Sequence, residues 1–199
     1  MYLCDRRIQE HIIKADSNEI LDTINKLPLL NYNFIDNKHY EGKTVYGLIA
    51  QDVIKILPEA ITITSQYIPN IYTNANSTEL YNNKVIITVN YTTKIKKDTL
   101  LKIIVNDIPF YVNIFDFTKD TITVTRWNNY RESDDVFVYG TLVDDFHALN
   151  QPYLGVLCMG GIQELNKQIN QLKIDNNELK TKNDILSQRL DKLEKLLQS

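Results

Sequence analysis

The chain has 199 residues, room for one medium domain with an extension or for two small ones, and 43% of them are hydrophobic, so a core can be buried. Its net charge is −3, from 22 Lys and Arg against 25 Asp and Glu, which excludes a polybasic nucleic-acid binder, because phosphate contacts need clustered cations. No apolar run reaches the roughly 18 residues of a membrane span, no secretory signal is readable at the N-terminus, and two cysteines, Cys4 and Cys158, make no disulfide framework and point to a reducing compartment.

In chain order, residues 16–27 read as a short helix. Asp16 or Ser17 can cap it, Ile20, Ile24 and Leu27 share one face, and Pro28 ends it. Leu29–Asp36 alternates as a strand, with Leu30, Tyr32 and Phe34 on one side. Asn37–Gly42 is a polar turn, Thr44–Ile49 a second strand, Ala50–Leu57 a helix stopped by Pro58, and Ala60–Thr64 a third strand. From Tyr81 to Val143 short β-branched runs recur, at 84–89, 99–105, 109–115, 121–126 and 136–139, with polar turns between them. That spacing predicts an inserted small antiparallel barrel or sandwich. Its aromatics, Phe110, Tyr111, Phe115, Phe117, Trp127 and Tyr130, serve either as its core or as a stacking surface for sugars or bases.

From Asn150 onward the pattern is helical. Ile162, Leu165, Ile169, Leu172, Asn176, Leu179, Asn183, Leu186, Leu190, Leu193 and Leu197 alternate in steps of three and four without a break. Every d position from Leu165 on is Leu; the a positions are Ile162, Ile169, Asn176, Asn183, Leu190 and Leu197. A straight helix drifts by about 20° per heptad, so a strict seam of this length calls for a supercoil and therefore for partner helices. Two successive Asn at a positions cost stability and set register, and they leave the number of strands open. The expected partner is thus a parallel second copy of the chain.

Three motifs stand in order: Cys4-Asp5-Arg6-Arg7-Ile8-Gln9-Glu10, then Tyr46-Gly47-Leu48-Ile49-Ala50-Gln51-Asp52-Val53 followed by Leu57-Pro58-Glu59-Ala60, and finally Gly161-Ile162-Gln163-Glu164-Leu165 leading into heptads. Together they resemble the C-terminal intramolecular chaperone domain of phage tailspikes and fibres, the endosialidase-type peptidase S74 family, over residues 4–65 and 144–199. The segment 81–143 looks like an insertion similar to those of large-DNA-virus members, an origin that the Asn and Ile skew of an AT-rich genome also suggests. The resemblance implies an α+β fold: a small α/β body (1–65), an inserted β-barrel or sandwich (66–143), and a helix with a parallel trimeric coiled coil (144–199). It further implies a homotrimer that holds an upstream fibre-type polypeptide in register, in the virion or the infected cell's cytoplasm, with neither nucleic acid nor membrane as partner. No cofactor and no metal are expected.

In that family a Ser attacks the peptide bond before it, and a Lys five residues later serves as base. Matched residue by residue, the Ser falls on Cys4 and the Lys on Gln9, while Asp5 and Arg7 agree with the pattern. The cleavable bond would be Leu3–Cys4, which releases three residues from this chain. Gln takes up no proton at useful pH, so self-cleavage is expected to be lost. Against this stands attack by a Cys4 thiolate favoured by Arg6 or Arg7; the plain alternative is a small, partly buried thiol. A third reading makes the inserted β domain a host- or glycan-binding module. His11, His39 and His147 have no metal-ligand spacing; Asp144-Asp145-Phe146-His147 reads as a cap on a strand-to-helix junction or as a metal corner. Gly155, Gly160 and Gly161 are unusual inside a helix and call for close approach of a neighbour or for a kink.

Overall fold

A computed structural model describes residues 5–197. Two compact units share the chain: one takes the N-terminal stretch through Pro28, Lys55–Ala60 and everything from Asn150 on, and the other takes Leu29–Ile54 and Ile61–Leu149.

The first unit is helical. α1 (Ser17–Lys26) starts at Asp16, whose carboxylate accepts from the N–H groups of Asn18 and Glu19, satisfying donors that a helix start leaves without partners. It ends at Leu27, which is extended (ψ 121°) because Pro28 follows. The other long element runs to Leu197, and its start is tied by Asn150: the side chain accepts from Tyr153 N–H at 3.1 Å, and the backbone N–H donates to Ala60 C=O at 2.8 Å. This element, numbered α4 below, spans Gln151–Leu197. At 1.5 Å per residue its 47 residues extend about 70 Å, and its helix continues unbroken through Gly155, Gly160 and Gly161.

The second unit begins with a two-stranded antiparallel ladder, β1 (Leu30–Asn33) on β2 (Thr44–Gly47). Between them the expected polar turn is a helical turn, α2 (Asn37–Tyr40), capped by Asp36 and closed by left-handed Glu41 and Gly42. The helix expected over Ala50–Leu57 is short, α3 (Ala50–Val53); a 3₁₀ turn at Pro58–Ala60, in the first unit, takes up the chain near its end.

Eight strands follow: β3 (Ile61–Tyr67), β4 (Thr73–Asn74), β5 (Ser77–Tyr81), β6 (Lys84–Thr88), β7 (Leu100–Val105), β8 (Ile108–Phe117), β9 (Thr121–Thr125) and β10 (Val136–Leu149). They order as β3-β10-β7-β8-β9-β6-β5, with β4 also on β10. Two hairpins turn on Asn82-Asn83 and Asn106-Asp107, all four residues at positive φ, the type I′ geometry that suits two-residue loops. β8 pairs with β7 through Asn113 and with β9 from Ile114, and a register shift at Phe115 lets it pass from one half of the sheet to the other. Alternate residues of β6, β7 and β9 are buried. Val85, Ile87, Leu101, Ile103, Ile114, Ile122, Val124 and Val138 thus form one core with Trp127 and Tyr130.

Three sequence expectations change here. Among the described residues no ladder joins β5 to β3, so the sheet is open and no barrel closes. The last strand does not stop at Tyr139 but runs to Leu149, because its second half pairs with β3. Asp144-Asp145-Phe146-His147 therefore lies within β10, at a register shift between Val143 and Phe146, and the cap of α4 is Asn150. Of the aromatics, Trp127 and Tyr130 are buried and Phe110 and Phe117 pack on the core, while Tyr111 and Phe115 stay exposed.

Candidate functional site

The apolar stripe of α4 faces solvent. Ile162, Leu165, Ile169, Leu172, Leu179, Leu186, Leu190 and Leu193 are each between 45% and 66% exposed in the single chain, and Asn176 and Asn183 are exposed among them. The Leu197 side chain lies outside the described residues. A row of half-exposed Leu and Ile along a helix of this length is apolar surface that burial against a partner would stabilise.

The opposite side of α4 is occupied by α1. Gly160 and Gly161 make the contact possible: a Cβ at Gly160 would stand 3.0 Å from Ile20 Cδ1, and one at Gly161 would stand 3.0 Å from Ile24 Cδ1 and 3.7 Å from Leu21 Cδ1. Leu21 is buried there. Close approach of α1 accounts for these two glycines, whereas Gly155 meets nothing within 4 Å. One helical turn further along α4, the Ser17 hydroxyl donates to Glu164 Oε2 at 2.6 Å, and the Lys167 ammonium donates to the same oxygen at 2.7 Å and to Ser17 Oγ at 2.6 Å. Glu164 is only 5% exposed. The hydrogen bonds from Lys167 and then Ser17 hold its carboxyl below the ordinary glutamate value. In the heptad count Gly160 and Lys167 are f, Gly161 is g and Glu164 is c, so α1 sits away from the a and d positions and leaves the stripe open.

Sequence reading named Ser17 only as a possible cap and Glu164 only as part of a motif. The signal that was available is the Gly-Gly pair placed three residues before a Glu with a Lys three residues beyond it; the distance in sequence, 147 residues from Ser17 to Glu164, hid the partner.

The N-terminal junction is simpler. Cys4 and Leu3 lie outside the described residues. Asp5 caps a 3₁₀ turn at Arg6–Ile8, accepting from Arg7 N–H at 2.8 Å and from the Arg7 guanidinium at 2.6 to 3.2 Å. The side-chain and backbone hydrogen bonds from Arg7 keep the Asp5 carboxyl below its usual value. The Arg7 cation is thereby matched to a carboxylate, although at this exposure such a pair adds little stability. Gln9 is exposed, with its N–H on Arg6 C=O at 3.3 Å.

The second unit holds a groove of about 400 Å³ lined by Asp36, Lys38, Tyr72, Lys102, Phe137 and Tyr139 among others. The Tyr72 hydroxyl donates to Asp36 at 2.9 Å and that of Tyr139 at 3.2 Å. Burial, then the Asp36 charge, pushes the Tyr139 hydroxyl up to about 12. Burial raises Asp36, but its hydrogen bonds from Tyr72, His39 N–H and Tyr139 outweigh this, and it ends below the usual carboxylate value. Lys38 and Lys102 stand 4.5 and 4.1 Å over the rings of Phe137 and Tyr139.

Residues 4–62 match a family model described as the chaperone of endosialidase, Peptidase_S74. An uncharacterized protein VP1 of Micromonas pusilla reovirus (isolate Netherlands/2005) is 25% identical over 217 aligned positions, which cover 85% of this chain and 11% of that protein. The chain therefore spans about a ninth of the length of this curated relative. Among the described residues no helix is long and apolar enough to cross a membrane.

Proposed function

Taking residues 4–62 as a chaperone-of-endosialidase segment, we propose that this chain is an intramolecular chaperone and trimerisation module for a viral fibre-like polypeptide, and that its self-cleavage is lost. The observation that carries the reading is the open a–d stripe of α4, with α1 docked on the far side. Three parallel copies cover that stripe together. Each then brings its own α1 and its own chain end to one place. Long-range β pairings between fibre chains carry a large loop-closure cost. Tethering three chains at one end replaces dilution by a high effective concentration. The likeness to a small part of a long viral protein supports a module that serves a larger chain.

Loss of cleavage is supported by Gln9, which offers no base where the family has Lys. The thiolate alternative is weakened by Arg7, whose guanidinium is engaged by Asp5. Two measurements test the reading. Light scattering of the purified chain gives about 70 kDa, three times 23.2 kDa, and a dimer or monomer mass refutes the trimer. Intact mass after long incubation stays at that of the uncut chain, and a species beginning at Cys4 refutes the loss of cleavage.

A second reading, ligand binding by the β domain, is favoured by the groove at Tyr72, Lys102, Phe137 and Tyr139, where aromatic rings and polar groups converge in one concave site. Binding on a glycan array that disappears with Lys102→Ala supports it, and an empty array removes it.

A further inference from the structure

We infer that α1 and its clamp carry the register of the coiled coil to the chain upstream, with Glu164 as the positioning residue. The inference rests on the trimer reading and adds a second interface to it.

Residues 160–167 of α4 do two things on two faces. Ile162 and Leu165 open the seam, and Gly160, Gly161, Glu164 and Lys167 hold α1. The grip on α1 has an apolar part and a polar part. The apolar part fixes depth, since the Ile20 and Ile24 methyls already fill the space above the two glycines. The polar part fixes position along α4. Sliding or rotating α1 would take the Ser17 hydroxyl off Glu164, whose carboxylate at 5% exposure would keep its bonds from Lys167 and Gln168 on α4 but lose the one that joins the two helices, at the net cost of one charge-assisted hydrogen bond. The N-terminus of α1 is therefore set at the height of the first seam layers.

In parallel, in-register copies those heights are equal by symmetry. Each upstream chain leaves from a Ser17 held at the same level, so register fixed by Asn176 and Asn183 in the seam is passed to residues ahead of α1. Without the clamp, the stretch from Pro28 back to Asp5, 24 residues, becomes a leash. A flexible chain of that length has an end-to-end distance of about 27 Å, equal to a slip of about eight residues in an extended strand. The clamp removes that slack.

Spin labels on α1 test this in the full chain. With Cys4→Ser and Cys158→Ser as background, Asn18→Cys places a label on the exposed side of α1. Pulsed dipolar spectroscopy then reads inter-copy distances. The expected result is one narrow distribution, which at least doubles in width with Glu164→Ala and with Gly161→Leu while the light-scattering mass stays trimeric. Glu164→Gln, which keeps the shape and an acceptor, gives an intermediate width. A trimer whose distribution stays narrow in both Glu164→Ala and Gly161→Leu overturns the clamp and leaves the trimer reading standing. A monomeric parent overturns the trimer reading itself, and this inference with it.

Discussion

Leu186 and Ile185 are neighbours on α4 that differ in heptad position: Leu186 is d and Ile185 is c. Both are well exposed in the single chain, at 59% and 46%, so burial in the monomer does not distinguish them. Fully burying a Leu side chain is worth about 1.5–3 kcal/mol; with 59% still open, assembly gains about 1–2 kcal/mol per copy from Leu186. Leu186→Ala forfeits this in all copies at once and adds a cavity in the layer. For the three copies of the proposed trimer the loss is about 3–6 kcal/mol, a hundredfold to ten-thousandfold in the association constant. Ile185→Ala removes a side chain that stays in solvent either way, and its effect is within about 0.5 kcal/mol. Sedimentation equilibrium over a concentration series, with helix content followed on heating, measures both. Leu186→Ala shifts dissociation to higher concentration and makes melting strongly concentration-dependent, whereas Ile185→Ala does neither. Equal effects from the two substitutions refute the seam.

Acid should open the clamp before it opens the seam. Glu164 sits below its ordinary value of 4.5 because of Lys167 and Ser17, so its contribution is fully present above that pH and lost as pH falls through the lowered folded value. Hydrogen exchange of α1 amides is expected to rise in that window while α4 amides stay protected, and Glu164→Gln abolishes the pH step. Gly140→Ala is expected to cost about 3 kcal/mol or more, because a Cβ there falls 2.0 Å from Ile68 O and 2.8 Å from Asn70 N, both backbone. Gly155→Ala, with open space around it, should instead stabilise the helix by about 0.5–1 kcal/mol; thermal melts compare the two. Cys158 is exposed and lies seven residues before Leu165, which makes it a d position. In a Cys4→Ser background a short bismaleimide should join two copies of a parallel assembly through Cys158, and no cross-link forms if the helices run antiparallel.

Much of the helical part was legible because its signals are local. Asp16, the Ile20–Ile24 spacing and Pro28 mark α1 within about a dozen residues, and the heptads mark α4 by repetition. The β segment was legible as a set of strands for the same reason: alternation within β6, β7 and β9 shows in five or six residues. The chemistry of a turn was misleading where a ladder overrode it. Asp144-Asp145 read as the end of a strand, yet pairing of Phe146–Leu149 with β3 keeps the backbone extended. Tyr72 and Tyr139 likewise showed no sign of converging on Asp36, because their positions depend on where distant strands pair.

The sequence by itself determined the helical repeat, the capped start of α1, the order of the motifs and the mismatch at Cys4 and Gln9, all of which are properties of near neighbours along the chain. Only the tertiary structure decided that Gly160 and Gly161 of α4 receive α1, that Ser17 closes on a carboxylate 147 residues away, and that the sheet shifts register at Phe115 and stays open. The physical reason is one of range. Periodicity and capping act over a few residues, whereas packing and ladder register are set by contacts whose partners the chain order does not reveal.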